Sequence, residues 1–128
     1  ALCVILPTAL LLRSEDLAGG LALLHQADTE SVMSVTTYLE SPFQALHDQD
    51  GYLRPYFPEF SKRAQELPPV HVDSGYFYFI RLPALRAQHS FYTRRLRGYP
   101  IPRDRSIDID EPAHLRLATA MLDAATHA

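Results

Sequence analysis

Two short segments of strand-like composition flank a helical pattern in the first 37 residues, and this arrangement constrains the fold most. Residues 2–6 form a continuous apolar run that ends at Pro7, and Ser31–Thr37 is rich in β-branched residues. The first run is typical of a strand buried on both faces of a parallel sheet, and the β-branched content of the second segment is typical of a strand. The sequence therefore predicts a strand-helix-strand unit with a right-handed crossover, with the first strand central in a parallel α/β sheet.

The helix between these strands has recognisable start signals. Ser14 is a suitable N-cap, and Glu15 and Asp16 follow in the first turn. We expect the helix to end near His25 or Gln26. Its predicted inner face carries three leucines at helical spacing: Leu17, Leu21 and Leu24.

The middle of the chain has a different character. Residues 38–69 break into short aromatic pieces around an Asp50-Gly51 turn and end at Pro68-Pro69. We interpret this segment as an arm or lid inserted into the single domain 1–128. Residues 70–82 alternate as in a strand, with Gly75 marking a bulge or a close backbone approach.

The last third predicts four short elements. A helix is expected over 83–89, a strand over 97–101 and an extended segment over 107–110. Pro112 suits the first turn of a final helix. The predicted inner stripe of that helix comprises Leu115, Ala118, Leu122 and Ala125.

Composition excludes several classes of protein. The net charge of -3 and the charged fraction of 21% disfavour binding to nucleic acid. Cys3 is the only cysteine, so no intrachain disulfide can form, and the chain fits a reducing cytoplasm. The apolar run over 1–12 is shorter than the roughly 18 residues that a membrane span needs.

The candidate metal ligands are Asp108 and Asp110. In an extended segment alternate side chains share a face, so Ile107 and Ile109 can enter the core while the two carboxylates point outward together. Their α-carbons would lie roughly 6 to 7 Å apart, which allows both to contact one Mg²⁺. The alternative is that Asp110 caps the last helix and Asp108 is merely solvated.

A basic cluster precedes these carboxylates. It comprises Arg94, Arg95, Arg97, Arg103 and Arg105, interrupted by Asp104. Arginine forks match phosphate and carboxylate groups, so the cluster could bind an anionic substrate, and a solvated loop is the alternative. The five glycines form neither a dinucleotide fingerprint nor a P-loop, and Lys62 is the only lysine.

Several segments, taken in order, resemble one family of enzymes. They are Pro7-Thr8-Ala9 with Arg13-Ser14-Glu15-Asp16-Leu17, Ser31-Val32-Met33-Ser34-Val35-Thr36, Arg63-Ala64-Gln65-Glu66-Leu67-Pro68-Pro69, Asp73-Ser74-Gly75-Tyr76-Phe77-Tyr78 and Arg105-Ser106-Ile107-Asp108-Ile109-Asp110-Glu111-Pro112. The chain thereby resembles, over nearly its whole length, the cytidylyltransferases that activate sialic-type sugars. The first and fourth segments are more similar to the pseudaminic acid branch, and the last to the sialic acid branch.

The resemblance implies a partial Rossmann-like nucleotidyltransferase sheet with flanking helices and an aromatic arm at a dimer interface. It implies that a nine-carbon keto-sugar acid attacks the α-phosphate of CTP, with Mg²⁺ held by Asp108 and Asp110. The residues expected to bind substrate are Gln44, Arg63, Gln65, Asp73, Tyr76, Tyr78, Arg103 and Arg105. Leu6 and Leu10 depart from the family pattern, so that corner of the pocket is expected to differ.

A larger departure concerns the nucleotide. The family has a Gly-, Arg- and Lys-rich loop that holds the CTP triphosphate, and that region would precede Ala1. We therefore expect the chain to be a C-terminal portion without measurable transferase activity on its own. The alternative is a non-catalytic, homo-oligomeric binding module, because a partial sheet exposes an edge and apolar surface; a homodimer or larger assembly is expected in either case.

Overall fold

The computed structural model describes residues 1–127. They form two compact units, one comprising Ala1–Thr36 with the chain from Asp73 onward, and the other Thr37–Val72. In chain order the helices and strands are β1 (Leu2–Ile5), α1 (Ser14–Leu24), β2 (Ser31–Thr37), β3 (Leu46–Gln49), β4 (Tyr52–Pro55), β5 (His71–Ile80), α2 (Leu82–Gln88), β6 (Leu96–Pro100) and α3 (Pro112–Thr126). The fold is a mixed α/β fold.

The main sheet has the strand order β1-β5-β2-β6. β1 is antiparallel to β5, and β2 is parallel to β6. The Arg81 N–H, at the end of β5, donates to Glu30 O at the start of β2, whereas Ser74, near the start of β5, contacts Ser34 further along β2. β5 therefore also runs antiparallel to β2. Three strands therefore point the same way and β5 opposes them, which makes the sheet mixed rather than parallel as predicted.

The prediction that the first strand is central is wrong. β1 lies at one end of the strand order, and among residues 1–127 only β5 pairs with it. Leu2 and Ile5 are 38% and 49% exposed as a result. An apolar run shows that a strand can be covered on both faces, but it cannot show that a neighbour is present on both edges.

Helix α1 forms where predicted, and of its predicted inner face Leu24 is buried and Leu17 packs against the core, whereas Leu21 departs from the prediction. Arg13, and not Ser14 as predicted, is the N-cap, and its N–H donates to the Asp16 carboxylate at 2.9 Å. The buried positions are Asp16, Gly20 and Leu24, whereas Leu21 is 38% exposed. Gly20 permits this packing, because a Cβ there would lie 2.5 Å from a ring carbon of Phe77.

Helix α3 begins at Pro112 as predicted, but of its predicted inner stripe only Ala118 is buried. Ala118 is buried and Met121 packs against the core, while Leu115 and Leu122 are about half exposed. The core itself is formed by Leu11, Leu24, Val32, Tyr76, Phe77, Phe79 and Ile101. Spacing defined a helical repeat, but it could not define which side of α3 meets this core.

The second unit contains a hairpin of β3 and β4. The predicted Asp50-Gly51 turn closes it, with both residues at positive φ. His47, Tyr56, Phe57 and Phe43 form a chain of aromatic contacts beside the hairpin. Throughout the described residues, no helix has the combination of length and apolar character that crossing a bilayer requires.

Candidate functional site

The candidate site lies at one edge of the main sheet. Because β1, β2 and β6 point the same way, their carboxyl ends meet at this edge, together with the amino end of β5. The segment after β6, which carries Asp108, lies at this edge as well.

Asp108 is exposed and rests against the backbone of β5 at Gly75. A Cβ built onto Gly75 would lie 3.3 Å from Oδ1 of Asp108. Gly75 also has a φ of +71°, a conformation that strongly favours glycine. The predicted close approach at Gly75 is confirmed, and the group that approaches is the candidate metal ligand.

Asp73 and Tyr78 form a hydrogen-bonded pair beside Asp108. The Tyr78 hydroxyl donates to Oδ2 of Asp73, whose Oδ1 accepts the Gly75 N–H at 2.8 Å. Burial, the hydrogen bond to Asp73 and the nearby negative charges of Asp73 and Asp108 all raise the pKa of Tyr78. The phenol is therefore a hydrogen-bond donor at neutral pH and not a base.

The segment over 107–110 shows the predicted alternation without forming a regular strand. Ile107 and Ile109 are half-buried, and Asp108 and Asp110 are exposed. The alternative in which Asp110 caps α3 is wrong, because Glu111 occupies the N-cap position. The Asp110 N–H donates to Nδ1 of His114 at 3.2 Å, and Asp110 is exposed.

Arg105, predicted to bind substrate, forms a bidentate ion pair with Asp16. Its two terminal nitrogens lie 2.9 and 3.0 Å from the carboxylate oxygens, and one of them also donates to Leu11 O at 3.1 Å. The side chains are only 17% and 4% exposed. The guanidinium thus joins the segment after β6 to α1 and to the chain that follows β1. A contact of Arg105 with substrate stays a prediction.

Two tyrosines complete this network. The Tyr99 hydroxyl donates to Oδ1 of Asp16 at 3.2 Å. The Tyr76 hydroxyl donates to the carbonyl oxygen of Arg105 and accepts the Ile107 N–H at 3.4 Å. Burial raises the pKa of both phenols. The predicted contact of Tyr76 with substrate likewise stays a prediction, since its hydroxyl is used inside the chain.

The basic cluster is divided between two edges of the sheet. Arg95 and Arg97, at the amino end of β6, contact Asp28 and Thr29. Arg103 and Arg105 follow the carboxyl end of that strand, about 16 Å away for five residues of strand. The five arginines therefore cannot form one anion clamp, and Arg103, which follows the same strand end as Asp108, is exposed.

The other predicted substrate residues belong to the second unit. Gln44 ends a short 3₁₀ helix, Pro42–Gln44, and is half-buried. Arg63 is the N-cap of another, Ala64–Glu66, which contains Gln65; both side chains are exposed. Their approach to the sheet edge stays a prediction.

The chain supplies carboxylates but not a closed metal cage. Within residues 1–127, no three His, Cys, Asp or Glu side chains come together in a way that could hold a metal ion. Asp108 and Asp110 are both exposed, and neither carboxylate has a protein partner in this part of the chain. This fits Mg²⁺, which keeps several waters and binds through one or two carboxylates plus substrate phosphates.

Sequence patterns missed the role of Asp16. It was predicted only as an acid in the first turn of a helix, yet it is the most connected side chain near the site. Its partner Arg105 is 89 residues away, so no local spacing could reveal the pair. A groove of about 420 Å³ adjoins it, lined mainly by residues 10–13 and the end of α3 around Met121.

The Asp16 carboxylate gives the fold a specific pH dependence. Burial alone would raise the pKa of Asp16, but hydrogen bonds from Arg105, the Arg13 N–H and Tyr99 together lower it below its usual range. A lowered folded-state pKa stabilises the fold fully above the ordinary value of about 4. That stabilisation is lost as the pH falls through the lowered folded-state pKa. Asp16→Asn should therefore lower the free energy of unfolding by about 3 kcal/mol at pH 7 and by less below pH 4.

Urea unfolding between pH 7 and pH 3 measures this difference. Asp28→Asn is the matched control, because its ion pair with Arg95 is exposed, at 79% and 59%. Such surface pairs contribute at most about 1 kcal/mol. A loss for Asp16→Asn that is equal at pH 7 and pH 3 would contradict the role of the charge.

Comparison with known proteins assigns no family to this chain. Its sequence matches no protein-family model, and no curated protein matches it either. Its function must therefore be inferred from its own residues.

Proposed function

We propose that this chain carries the metal and sugar side of a cytidylyltransferase site of the sialic type, within a Rossmann-like sheet. The observation that supports this most is the position of Asp108, exposed at the carboxyl edge of three strands and resting against Gly75. The ordered sequence resemblance supplies the reaction class: transfer of a cytidylyl group from CTP to the hydroxyl of a nine-carbon keto-sugar acid.

In this proposal the polar side chains of the candidate site have separate roles. Asp108 and Asp110 hold Mg²⁺, and Arg103 contacts an anionic group of the substrate. Bound Mg²⁺ would offset the charge that develops on the α-phosphate and on the leaving pyrophosphate. Tyr78 stays protonated and orients Asp73, whose carboxylate accepts hydrogen bonds from substrate hydroxyls.

The phosphate side of the site has no counterpart among these residues. Gly19 and Gly20 lie inside α1, Gly51 closes a hairpin turn, Gly75 underlies Asp108 and Gly98 lies within β6, so none forms a phosphate-cradling loop. Positioning supplies most of the rate enhancement in phosphoryl transfer. The proposal for the isolated chain is therefore one of binding and not of turnover.

Calorimetric titration of Mg²⁺ alone into the chain tests this proposal. Asp108→Asn should weaken binding by about tenfold or more, because it removes a metal-binding charge. Asp123→Asn, an exposed acid near the end of α3, is the control and should leave the binding heat unchanged. Equal heats in the parent and in Asp108→Asn would exclude a metal site at Asp108.

The β1 edge favours a second function, that of a homo-oligomeric assembly module. The Leu6 N–H donates to Tyr76 O in β5. Because N–H groups alternate along a strand, those of Cys3 and Ile5 point to the free edge. Exposed Leu2 and Ile5 make this an apolar edge of the kind that pairs with another strand. We propose that β1 of a second copy covers it around a two-fold axis.

Light scattering at tens of micromolar tests the assembly proposal. The parent chain should be a dimer or larger, and Ile5→Lys should be a monomer, because an edge lysine disfavours strand pairing. Leu115→Lys is the matched control, since Leu115 is 50% exposed against 49% for Ile5 but lies on α3. A monomeric parent chain would exclude β1 pairing. So would a result in which Ile5→Lys and Leu115→Lys dissociate the assembly to the same extent.

A further inference from the structure

The backbone just before Asp108 is held by one buried phenol. Tyr76, 1% exposed, donates its hydroxyl hydrogen to Arg105 O and accepts the Ile107 N–H. One oxygen atom therefore contacts the backbone on both sides of Ser106. The next residue after this contact is Asp108.

A bulge in β5 aims Tyr76 at this segment. The N–H groups of Tyr76 and Phe77 both donate to Ser34 Oγ, at 3.3 and 2.9 Å, although successive amides of a regular strand point in opposite directions. Gly75, with its positive φ, begins the bulge. The same bulge thus places Gly75 under Asp108 and Tyr76 under residues 105–107.

The Asp16–Arg105 ion pair holds the other side of the segment. The side chain of Arg105 is fixed by Asp16 and by Leu11 O, while its carbonyl is fixed by Tyr76. Asp108 itself has no hydrogen-bond partner within residues 1–127. Its position over Gly75 therefore depends on the attachment of the preceding backbone.

We infer that Tyr76, supported by the Asp16–Arg105 pair, is a positioning residue that holds the Asp108 carboxylate in place for a divalent cation. Tyr76 acts through the backbone of residues 105–107 and touches neither metal nor substrate. This inference rests on the proposed metal site for its functional consequence, but the ordering of the segment can be measured without any metal.

The test compares Tyr76→Phe with Tyr99→Phe. Each change removes one phenolic oxygen and keeps the ring. Without the Tyr99 hydroxyl, Asp16 keeps both of its Arg105 contacts and the Arg13 N–H, so the ion pair that supports the segment is retained. The lost Tyr76 hydroxyl, in contrast, bonds the segment before Asp108 directly. The ¹H–¹⁵N heteronuclear NOE of the amides of residues 107–110 reports the order of the segment. Titration with Tb³⁺, followed by tyrosine-sensitised emission, reports cation affinity.

Tyr76→Phe should lower the NOE values of residues 107–110 and weaken Tb³⁺ binding by about tenfold, as expected when a supporting contact of a metal ligand is lost. Tyr99→Phe should leave the NOE values unchanged and the affinity within about twofold of the parent. Parental NOE values and affinity in Tyr76→Phe would overturn the inference.

Asp108→Asn separates this inference from the proposed function. If it leaves Tb³⁺ affinity unchanged, the metal site is wrong, while the NOE comparison still decides whether Tyr76 orders the segment. If Tyr76→Phe does not fold, Arg105→Lys takes its place, because lysine keeps the charge but cannot form the bidentate contact with Asp16. Ordered residues 107–110 with parental affinity in that variant would likewise overturn the inference.

Discussion

The ion pair between Asp16 and Arg105 is the interaction on which the candidate site depends. It joins the first turn of α1 to the segment after β6, and Arg105 also reaches the chain that follows β1 through Leu11 O. Removing charges from water is costly, so a buried pair stabilises a fold only when its remaining hydrogen-bonding groups are satisfied. Here the Arg13 N–H and the Tyr99 hydroxyl provide that satisfaction.

Magnitudes distinguish this pair from the other ion pair of two charged side chains near the sheet. Arg95 and Asp28 lie 2.7 Å apart but are largely exposed, and such pairs contribute about 0–1 kcal/mol. Breaking a buried pair by removing one partner costs about 3–5 kcal/mol. The Arg95–Asp28 contact is therefore shorter but contributes less to the free energy of unfolding, because burial has more influence than distance.

The hydrogen bonds of Arg105 that stabilise the fold also fix the backbone that precedes the candidate metal ligand Asp108. Arg105 is fixed at its guanidinium and at its carbonyl, and Asp108 follows three residues later. Gly75 supplies the space into which Asp108 fits, since any side chain there would press against the carboxylate. The exposed acid is thus held by groups that are themselves buried, an arrangement that leaves its charge free for a ligand.

Local sequence signals predicted local structure well. Pro112 marked the start of α3, the Asp50-Gly51 pair marked a hairpin turn, and Gly75 marked a close approach. Each of these outcomes depends on the backbone preference of one or two residues. The alternation of isoleucine and aspartate over 107–110 similarly predicted which side chains are exposed.

Properties that depend on distant partners could not be predicted in this way. The inner face of α1 includes Asp16 and Gly20 beside Leu17 and Leu24, because Arg105 and Phe77 meet it from elsewhere in the sequence. The edge position of β1 depends on which strands pair with it, and the amino-acid composition of β1 does not indicate those strands. The basic cluster looked continuous because β6, which divides it, is only five residues long.

A double-mutant cycle between Asp16 and Arg105 tests the central claim most directly. The free energies of unfolding of the parent, Asp16→Asn, Arg105→Gln and the double variant are measured in urea at pH 7. If the buried pair holds the site together, the sum of the two single-variant losses in free energy of unfolding will exceed the loss in the double variant by about 2–3 kcal/mol. Additive losses, with a coupling below about 0.5 kcal/mol, would contradict the claim.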